Sequence, residues 1–327
     1  MHNRDQAVLV VGGAGYIGSH MVKLLVDEGY RVVVLDNLST GHRQLVTGGS
    51  FVKGNLGDTA ILDQIFDSEN INAVMHFAAF SLVGESVQVP MKYYRNNLAE
   101  TMSLVEAMIR HDVKRFIFSS TAAVYGEPEK VPIEEDHPCR PTNPYGNTKL
   151  AVERMLGDCD RAYGFKSICL RYFNAAGAHV SGEIGEMHEP ESHLIPLALR
   201  SALTSTAVKI FGTDYPNEDG TCVRDYVHVS DLAQAHLLAL QALNDGCGSA
   251  VFNLGNSVGY TVRQVIEAAR RVTGRPIEAV AHDRRSGDPA VLVASSDKIR
   301  RELGWSPEFE DLEKIIATAW AWHKKEK

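Results

Sequence analysis

Two groups of residues in this chain have types and spacings that could do chemistry. One is Gly12-Gly13-Ala14-Gly15-Tyr16-Ile17-Gly18; the other is Tyr145 with Lys149 four residues on. Residues four apart share a helix face, and Tyr145 alone among the eleven tyrosines has Lys at that offset. A phenol is a poor base near neutrality, since its reference pKa is about 10. A neighbouring ammonium and a positive nicotinamide ring would both stabilise phenolate. Such a group could take a proton from a carbinol while hydride leaves the same carbon. Lys149 could also hold the nicotinamide ribose hydroxyls. Thr121, after Ser119-Ser120, could donate a hydrogen bond to the same substrate oxygen. The plain readings are a solvated i, i+4 pair and strand-end hydroxyls that satisfy loose backbone groups.

The glycine run could bring the nicotinamide. It follows an apolar run, Ala7–Val11, and opens a helix, in the order that a dinucleotide fingerprint needs. Gly12 permits the tight turn, Gly15 lets the backbone approach a pyrophosphate, and Gly18 lets the helix pack on the strand. The free N–H groups of the helix start attract phosphate. Asp36 ends the second strand, where it can accept from the adenosine ribose hydroxyls. A carboxylate there repels a 2′-phosphate, so NAD is favoured over NADP. The bland reading is an ordinary strand–turn–helix.

Alternating elements position these groups. Strands are expected at Ala7–Val11, Arg31–Leu35, Phe51–Lys53, Ala73–Phe77, Arg115–Ser119 and Ser167–Arg171. Helices are expected at Ile17–Asp27, Thr59–Ser68, Tyr93–Ile109 and Pro144–Tyr163. This alternation predicts an α/β fold, a doubly wound and mostly parallel Rossmann sheet. From residue 174 to 190 the composition predicts loop, and a second long loop is expected at Gly212–Thr221. Around them fall a helix at Ser192–Leu203, strands at Val208–Phe211, Asp225–Val229 and Val251–Leu254, and a helix at Asp231–Leu243. Helices at Val262–Val272, Asp297–Glu302 and Leu312–Trp320 follow. The expected division is an NAD-binding domain over 1–175, to which 225–255 returns, and a smaller mixed α/β substrate-binding region over 176–224 and 256–327. A cleft between them would place ligand at the carboxyl ends of the strands.

The chain has 327 residues and a net charge of −8, with five scattered cysteines. That length is ample for a real core. The acidic balance argues against a nucleic-acid partner. The cysteines lack ligand-like spacing, so no metal is expected, and their odd number suits a reducing compartment. The first strand follows the N-terminus within a few residues, leaving no room for a signal sequence. No run approaches a membrane span. The expectation is a cytoplasmic protein without a membrane partner.

One family carries these features together. Val10 through His20, Asp36-Asn37-Leu38, His76-Phe77-Ala78-Ala79, Val83-Gly84-Glu85-Ser86 and Phe116 through Gly126 resemble the UDP-galactose (UDP-glucose) 4-epimerases of the extended short-chain dehydrogenase/reductase superfamily. Asn143-Pro144-Tyr145-Gly146, Leu170 through Asn174, Glu218 through Thr221, Val223 through Val229 and Arg284-Arg285-Ser286-Gly287-Asp288 continue the resemblance over essentially the whole chain.

The resemblance implies that NAD is held by the glycine turn with Tyr16, Ile17, Asp36, Asn37, Asn55, Leu56, Phe77, Ala78, Ala79, Asn96, Lys149 and Phe173. It implies that Thr121 and Tyr145 act on the sugar. Asn174, Leu194, Lys209, Phe211, Arg224, Arg285 and Asp288 would hold the UDP part, and guanidinium forks do match diphosphate geometry. For Arg224 or Arg285 taken alone, a solvated surface charge would be the default. Implied too are interconversion of UDP-galactose and UDP-glucose, a 4-keto intermediate that turns over while tethered by UDP, and a homodimer through Tyr93–Ile109 and Pro144–Tyr163.

The sequence departs from the family at Thr121, often Ser, at Asn55, which replaces an Asp near the adenine, at Ser81, where some members have Lys, and at His193, where others have Asn. Leu292 falls where a bulky Tyr confines relatives to plain hexoses. Leu there leads to the expectation that N-acetyl UDP-hexosamines also turn over, unless Leu292 is simply core. A nucleotide-sugar 4,6-dehydratase would carry Asp-Glu where this chain has Ala122-Ala123. Family analogy leaves the sugar open, so a UDP-uronic acid or UDP-pentose 4-epimerase is also compatible with these motifs. A non-catalytic NAD sensor belongs to a different class. Such proteins often lose the Tyr or the Lys, and this chain keeps both.

Overall fold

A computed structural model describes residues 6–285 and 289–325. In the first half, β1 (Ala7–Val11), α1 (Tyr16–Asp27), β2 (Arg31–Asp36), β3 (Ser50–Lys53), α2 (Thr59–Ser68) and β4 (Ile71–His76) follow one another. Then come α3 (Val83–Gln88), α4 (Pro90–Tyr93), α5 (Glu100–Arg110), β5 (Arg115–Thr121), α6 (Pro144–Tyr163) and β6 (Lys166–Tyr172). The second half holds β7 (Asn174–Ala176), α7 (Leu194–Thr204), β8 (Val208–Phe211), β9 (Val223–His228), α8 (Val229–Asn244) and β10 (Ala250–Leu254). It ends with β11 (Gly259–Thr261), α9 (Val262–Thr273), β12 (Ala279–His282), β13 (Val291–Leu292), α10 (Asp297–Leu303) and α11 (Leu312–His323).

Seven strands form one parallel sheet in the order β10-β6-β5-β4-β1-β2-β3. The expected doubly wound fold is the observed one. Both faces are covered, which is why β1 reads as an unbroken apolar run. Val8 and Val10 pack with α1 and α8 on one face, while Ala7, Leu9 and Val11 pack with α2, α5 and α6 on the other. Strand order reverses between β1 and β4, so the crevice beyond their carboxyl ends is a topological switch point. A separate core joins α7, α9 and α11 to β8 and β9. In it, β9 pairs with β7, β11 and β13, and β12 pairs with β8.

Several expectations need correction. The helix expected at Tyr93–Ile109 begins at Pro90 and passes through a π turn, Tyr94–Ala99, before α5. The widened turn lets buried Asn97 clasp the Phe80 backbone: Phe80 N donates to Asn97 Oδ1 at 2.9 Å, and Asn97 Nδ2 donates to Phe80 O at 2.9 Å. Asn174–Ala176 is strand rather than loop, because it finds a parallel partner in Tyr226–His228. Of the segment 225–255, α8 and β10 join the large sheet, whereas β9 centres the small one. No helix among the described residues is long and apolar enough to cross a membrane.

Candidate active site

The glycine turn lies at the switch point, and its three spaced glycines differ in what requires them. Gly12 has φ +79°, and a Cβ there would meet Ala78 N at 2.5 Å. A Cβ on Gly18 would meet Gly12 O at 2.2 Å, so α1 packs hard against the turn. Gly15 is different. Its φ of −80° suits any residue, and a Cβ would touch only Gly12 O, at 3.4 Å. Nothing in the chain demands glycine at 15, so the open space fits a ligand that approaches the backbone there. Gly15 caps α1 without a side-chain hydrogen bond, and no acid occupies the first turn. The helix start is thus suited to an anion. Ile17 packs half-buried on the adjoining core, and the Tyr16 hydroxyl donates to Gly177 O at 2.6 Å, tying α1 to the second half of the chain.

Asp36 stands at the end of β2. Its Oδ2 accepts from Ala14 N at 2.9 Å and its Oδ1 from Leu38 N at 2.8 Å. The carboxylate therefore fixes the glycine turn while keeping lone pairs for a ligand. Next to it, Asn37 Nδ2 donates to Asn55 Oδ1 at 2.5 Å, and Leu56 is buried below. These asparagines and Asn96 line a cleft of about 320 Å³ with Phe80, Lys92, Arg95 and Glu100. Sequence reasoning missed the last four, of which Arg95 lies in the π turn and Lys92 and Glu100 flank it. Phe77 follows β4, half-buried, its ring 4.8 Å from that of His236. Ala78 and Ala79, also half-buried, follow it.

Tyr145, Lys149 and Thr121 meet at the carboxyl end of β5. Asn143 caps α6 by accepting from Gly146 N at 2.9 Å, and Pro144 takes the first helical position. A Cβ on Gly146 would meet Ala123 O at 2.5 Å. The Asn-Pro-Tyr-Gly run thus starts the helix and presses it onto the turn after Thr121. Thr121 is buried, accepts from Ala123 N at 3.2 Å and hydrogen-bonds the Tyr145 phenol. Lys149 is buried, and its Nζ donates to Ser119 O at 2.7 Å and lies 4.7 Å from the Phe118 ring centroid.

The electrostatics differ from expectation. Burial raises the Tyr145 pKa, and only the Thr121 hydrogen bond lowers it. Lys149 is not among the causes, since its ammonium is turned to a backbone carbonyl. Burial lowers Lys149 itself to about 7, against the pull of Glu153 and Cys169. Glu153 was also missed from sequence, although Tyr145, Lys149 and Glu153 form an i, i+4, i+8 stripe on α6 that could have revealed it. Its carboxylate accepts from Arg171 Nε at 3.0 Å and Nη2 at 2.6 Å, and both side chains are buried.

The residues expected to hold a UDP part lie in the second half of the chain. Asn174 opens β7, Leu194 opens α7, and Arg224 lies in β9. Lys209 and Phe211 lie two apart on β8 and so share a face, away from buried Val208 and Ile210. Arg285 stacks its guanidinium 3.9 Å from the Phe211 ring centroid. Leu292 and Phe173 pack together against Val124, Tyr125, Ile133 and Leu150. Asp288 lies outside the described residues.

Known proteins resemble the chain over its whole length. Residues 8–255 match the NAD dependent epimerase/dehydratase family. The UDP-glucose 4-epimerase of Halalkalibacterium halodurans is 54% identical over 320 residues, 98% of this chain and 96% of that one. The crystal structure of UDP-glucose 4-epimerase from Bifidobacterium longum in complex with NAD+ and UDP superposes with a TM-score of 0.94 at 38% identity, covering 98% of both chains. The UDP-Glc/GlcNAc 4-epimerase of Campylobacter jejuni superposes with a TM-score of 0.85 at 41% identity, covering 98% of this chain and 99% of that one. With its parallel sheet, its glycine turn at the switch point and these relatives, the chain belongs to the NAD dependent epimerase/dehydratase family.

Proposed function

We propose that this protein interconverts UDP-glucose and UDP-galactose by NAD-dependent oxidation and re-reduction at C4 of the sugar. The observation that carries the reading is the meeting of Tyr145, Thr121 and Lys149 at the end of β5, in the same crevice as the glycine turn. Relatives named UDP-glucose 4-epimerase along the full chain support it.

Gly12, Gly15, Tyr16, Ile17, Gly18, Asp36, Asn37, Asn55, Leu56, Phe77, Ala78, Ala79, Asn96, Lys149 and Phe173 hold the cofactor in this reading. A nicotinamide bound there accepts a hydride from C4 and gives it back. Tyr145 takes the proton of the 4-hydroxyl and later returns it, while Thr121 holds the same oxygen. Asn174, Leu194, Lys209, Phe211, Arg224, Arg285 and Asp288 grip the UDP part. Concentrating binding there leaves the sugar ring free to turn over between the two transfers. Asp36 selects NAD over NADP by repelling a 2′-phosphate. Elimination chemistry is disfavoured, because Ala122 and Ala123 offer neither acid nor base.

We divide the chain into a cofactor half, 1–175 with α8 and β10, and a substrate half comprising the remainder. Met102 on α5 and Tyr163 on α6 are exposed apolar side chains, and they support a homodimer through these two helices. The cytoplasm, where cysteines stay reduced, is the location that fits its five free thiols.

A second reading extends the substrates to N-acetyl UDP-hexosamines. Leu292 packs half-buried on the same cluster as Phe173 and is a smaller side chain than tyrosine, and the Campylobacter jejuni relative is named for both sugars. Purified protein incubated with UDP-galactose should yield UDP-glucose without added reductant, and should release NAD or NADH on denaturation. Tyr145→Phe should keep both ligands and lose at least about a hundredfold in turnover. Near-normal turnover by that variant refutes the assignment.

A further inference from the structure

We propose that Glu186, His188, Glu191 and His193, in the segment between β7 and α7, form a site for one divalent transition-metal ion of the Zn²⁺ class. One donor atom from each residue lies within 4.8 Å of those of the other three. Two imidazoles and two carboxylates are the donor set that Zn²⁺ and its neighbours prefer. With bonds of about 2.1 Å, the ligands of a tetrahedral ion lie about 3.4 Å apart. A pair at the 4.8 Å limit therefore has to close by about 1.4 Å, a side-chain adjustment.

The surroundings are those of a built site. Glu186 is 3% exposed and the Glu191 side chain 2%, so two carboxylates are buried beside each other. Glu191 Oε1 accepts from Ser192 N at 2.7 Å and His193 N at 2.8 Å, which orients the group. Its Oε2 has His188 Nδ1 at 3.9 Å, too far for a hydrogen bond. Glu186 Oε1 is approached by His193 Nδ1 and, at 3.0 Å, by His188 Nδ1. The backbone is held from outside as well. Trp322 Nε1 donates to Glu186 O at 3.1 Å, and His42 Nε2 lies 3.1 Å from Met187 O. A cavity of about 350 Å³ that also borders Arg200 and His323 gives an ion and its waters a way in. The rival is a purely hydrogen-bonded His–Glu–His cluster.

The site has a place in the architecture. The His188 ring lies edge-on to Tyr16 at 6.2 Å, and the Tyr16 hydroxyl bonds Gly177 O at the start of the same segment. A bound ion would lock this segment onto the first turn of α1, where the glycine turn receives its ligand. The role is structural, and it does not depend on which sugar the protein takes.

Full-length protein treated with chelator, then titrated with Co²⁺, tests the proposal. Wild type should take up one Co²⁺ per chain with visible d–d absorption, which Zn²⁺ abolishes by displacement. Zn²⁺ at about a hundred times its Kd should raise the Tm by several degrees. His188→Ala and Glu191→Gln, checked for folding by circular dichroism, should each weaken Co²⁺ more than about tenfold and lose the Tm response. All the other histidines stay in place in both variants, so unchanged binding in either would put the ion elsewhere and overturn the proposal. Failure of wild type to bind stoichiometric Co²⁺ would leave the hydrogen-bonded cluster as the answer.

Discussion

A phenol that is to deprotonate a carbinol must be easier to ionise than free tyrosine, yet burial makes Tyr145 harder to ionise. Lys149, one turn further along α6, is lowered by burial to about 7 while Glu153 holds it up. Glu153 therefore does more than brace α6 against β6 through Arg171, because it also favours the charged form of the buried Lys149. Glu153→Gln should move the Lys149 midpoint further down in cofactor-stripped protein, read by NMR of labelled lysines. An unmoved midpoint means that Glu153 is not the counter-charge. The same group gives a pH dependence with a definite sign. Lys149 titrates at about 7 folded and at 10.5 unfolded, so the unfolded chain binds more protons between those values. Its contribution to stability accordingly rises with pH across that window. Lys149→Met should flatten the Tm–pH curve by that component.

At the scale of elements, local chemistry decides what the sequence reveals. β1 and β2 are legible because burial on both faces leaves apolar runs, and α6 because Asn143-Pro144 writes its start. β7, β11 and β13 are not, since each is two or three residues long and exists through pairing with β9, far off in sequence. The π turn at Tyr94–Ala99 is hidden for a similar reason, because the Asn97–Phe80 clasp that sustains it is tertiary. The glycine turn is readable as a motif, but the reason for each glycine is not. That difference makes a prediction. Gly15→Ala meets no clash within the chain and has an ordinary φ, so the Tm should stay within a few degrees of wild type, the lower entropy of the unfolded chain offsetting alanine's poor fit at an N-cap. Cofactor content after purification should nevertheless fall more than about tenfold, because the methyl would stand where a pyrophosphate bound at the turn has to approach. Gly18→Ala, whose Cβ would lie 2.2 Å from Gly12 O, should lose stability as well. Full cofactor content in Gly15→Ala would remove the case for ligand contact at that residue.

At the scale of the whole molecule, the two halves are sewn together beside the chemistry. Ile133 N donates to Val293 O and Ser295 N to Ile133 O, both at 2.8 Å, so the loop after β5 is stitched to the strand that carries Leu292. Leu292 is half-buried against a cluster that includes Val124, three residues past Thr121, and Phe173, at the end of β6. It is a packing residue; the proposed role as a wall of the crevice is a different one, and the two make different predictions. As a wall, leucine leaves space that tyrosine would take. Wild type should then turn over UDP-N-acetylglucosamine within about a hundredfold of UDP-glucose, or ~2.7 kcal/mol in transition-state free energy. Leu292→Tyr should abolish the N-acetyl activity and spare the plain hexose. As packing alone, the same change would overfill the cluster, lower stability by about 1–3 kcal/mol and weaken both activities together. The ratio of the two kcat/KM values in wild type and variant, taken with the Tm, separates these cases. A ratio that Leu292→Tyr leaves unchanged rules out Leu292 as the gate.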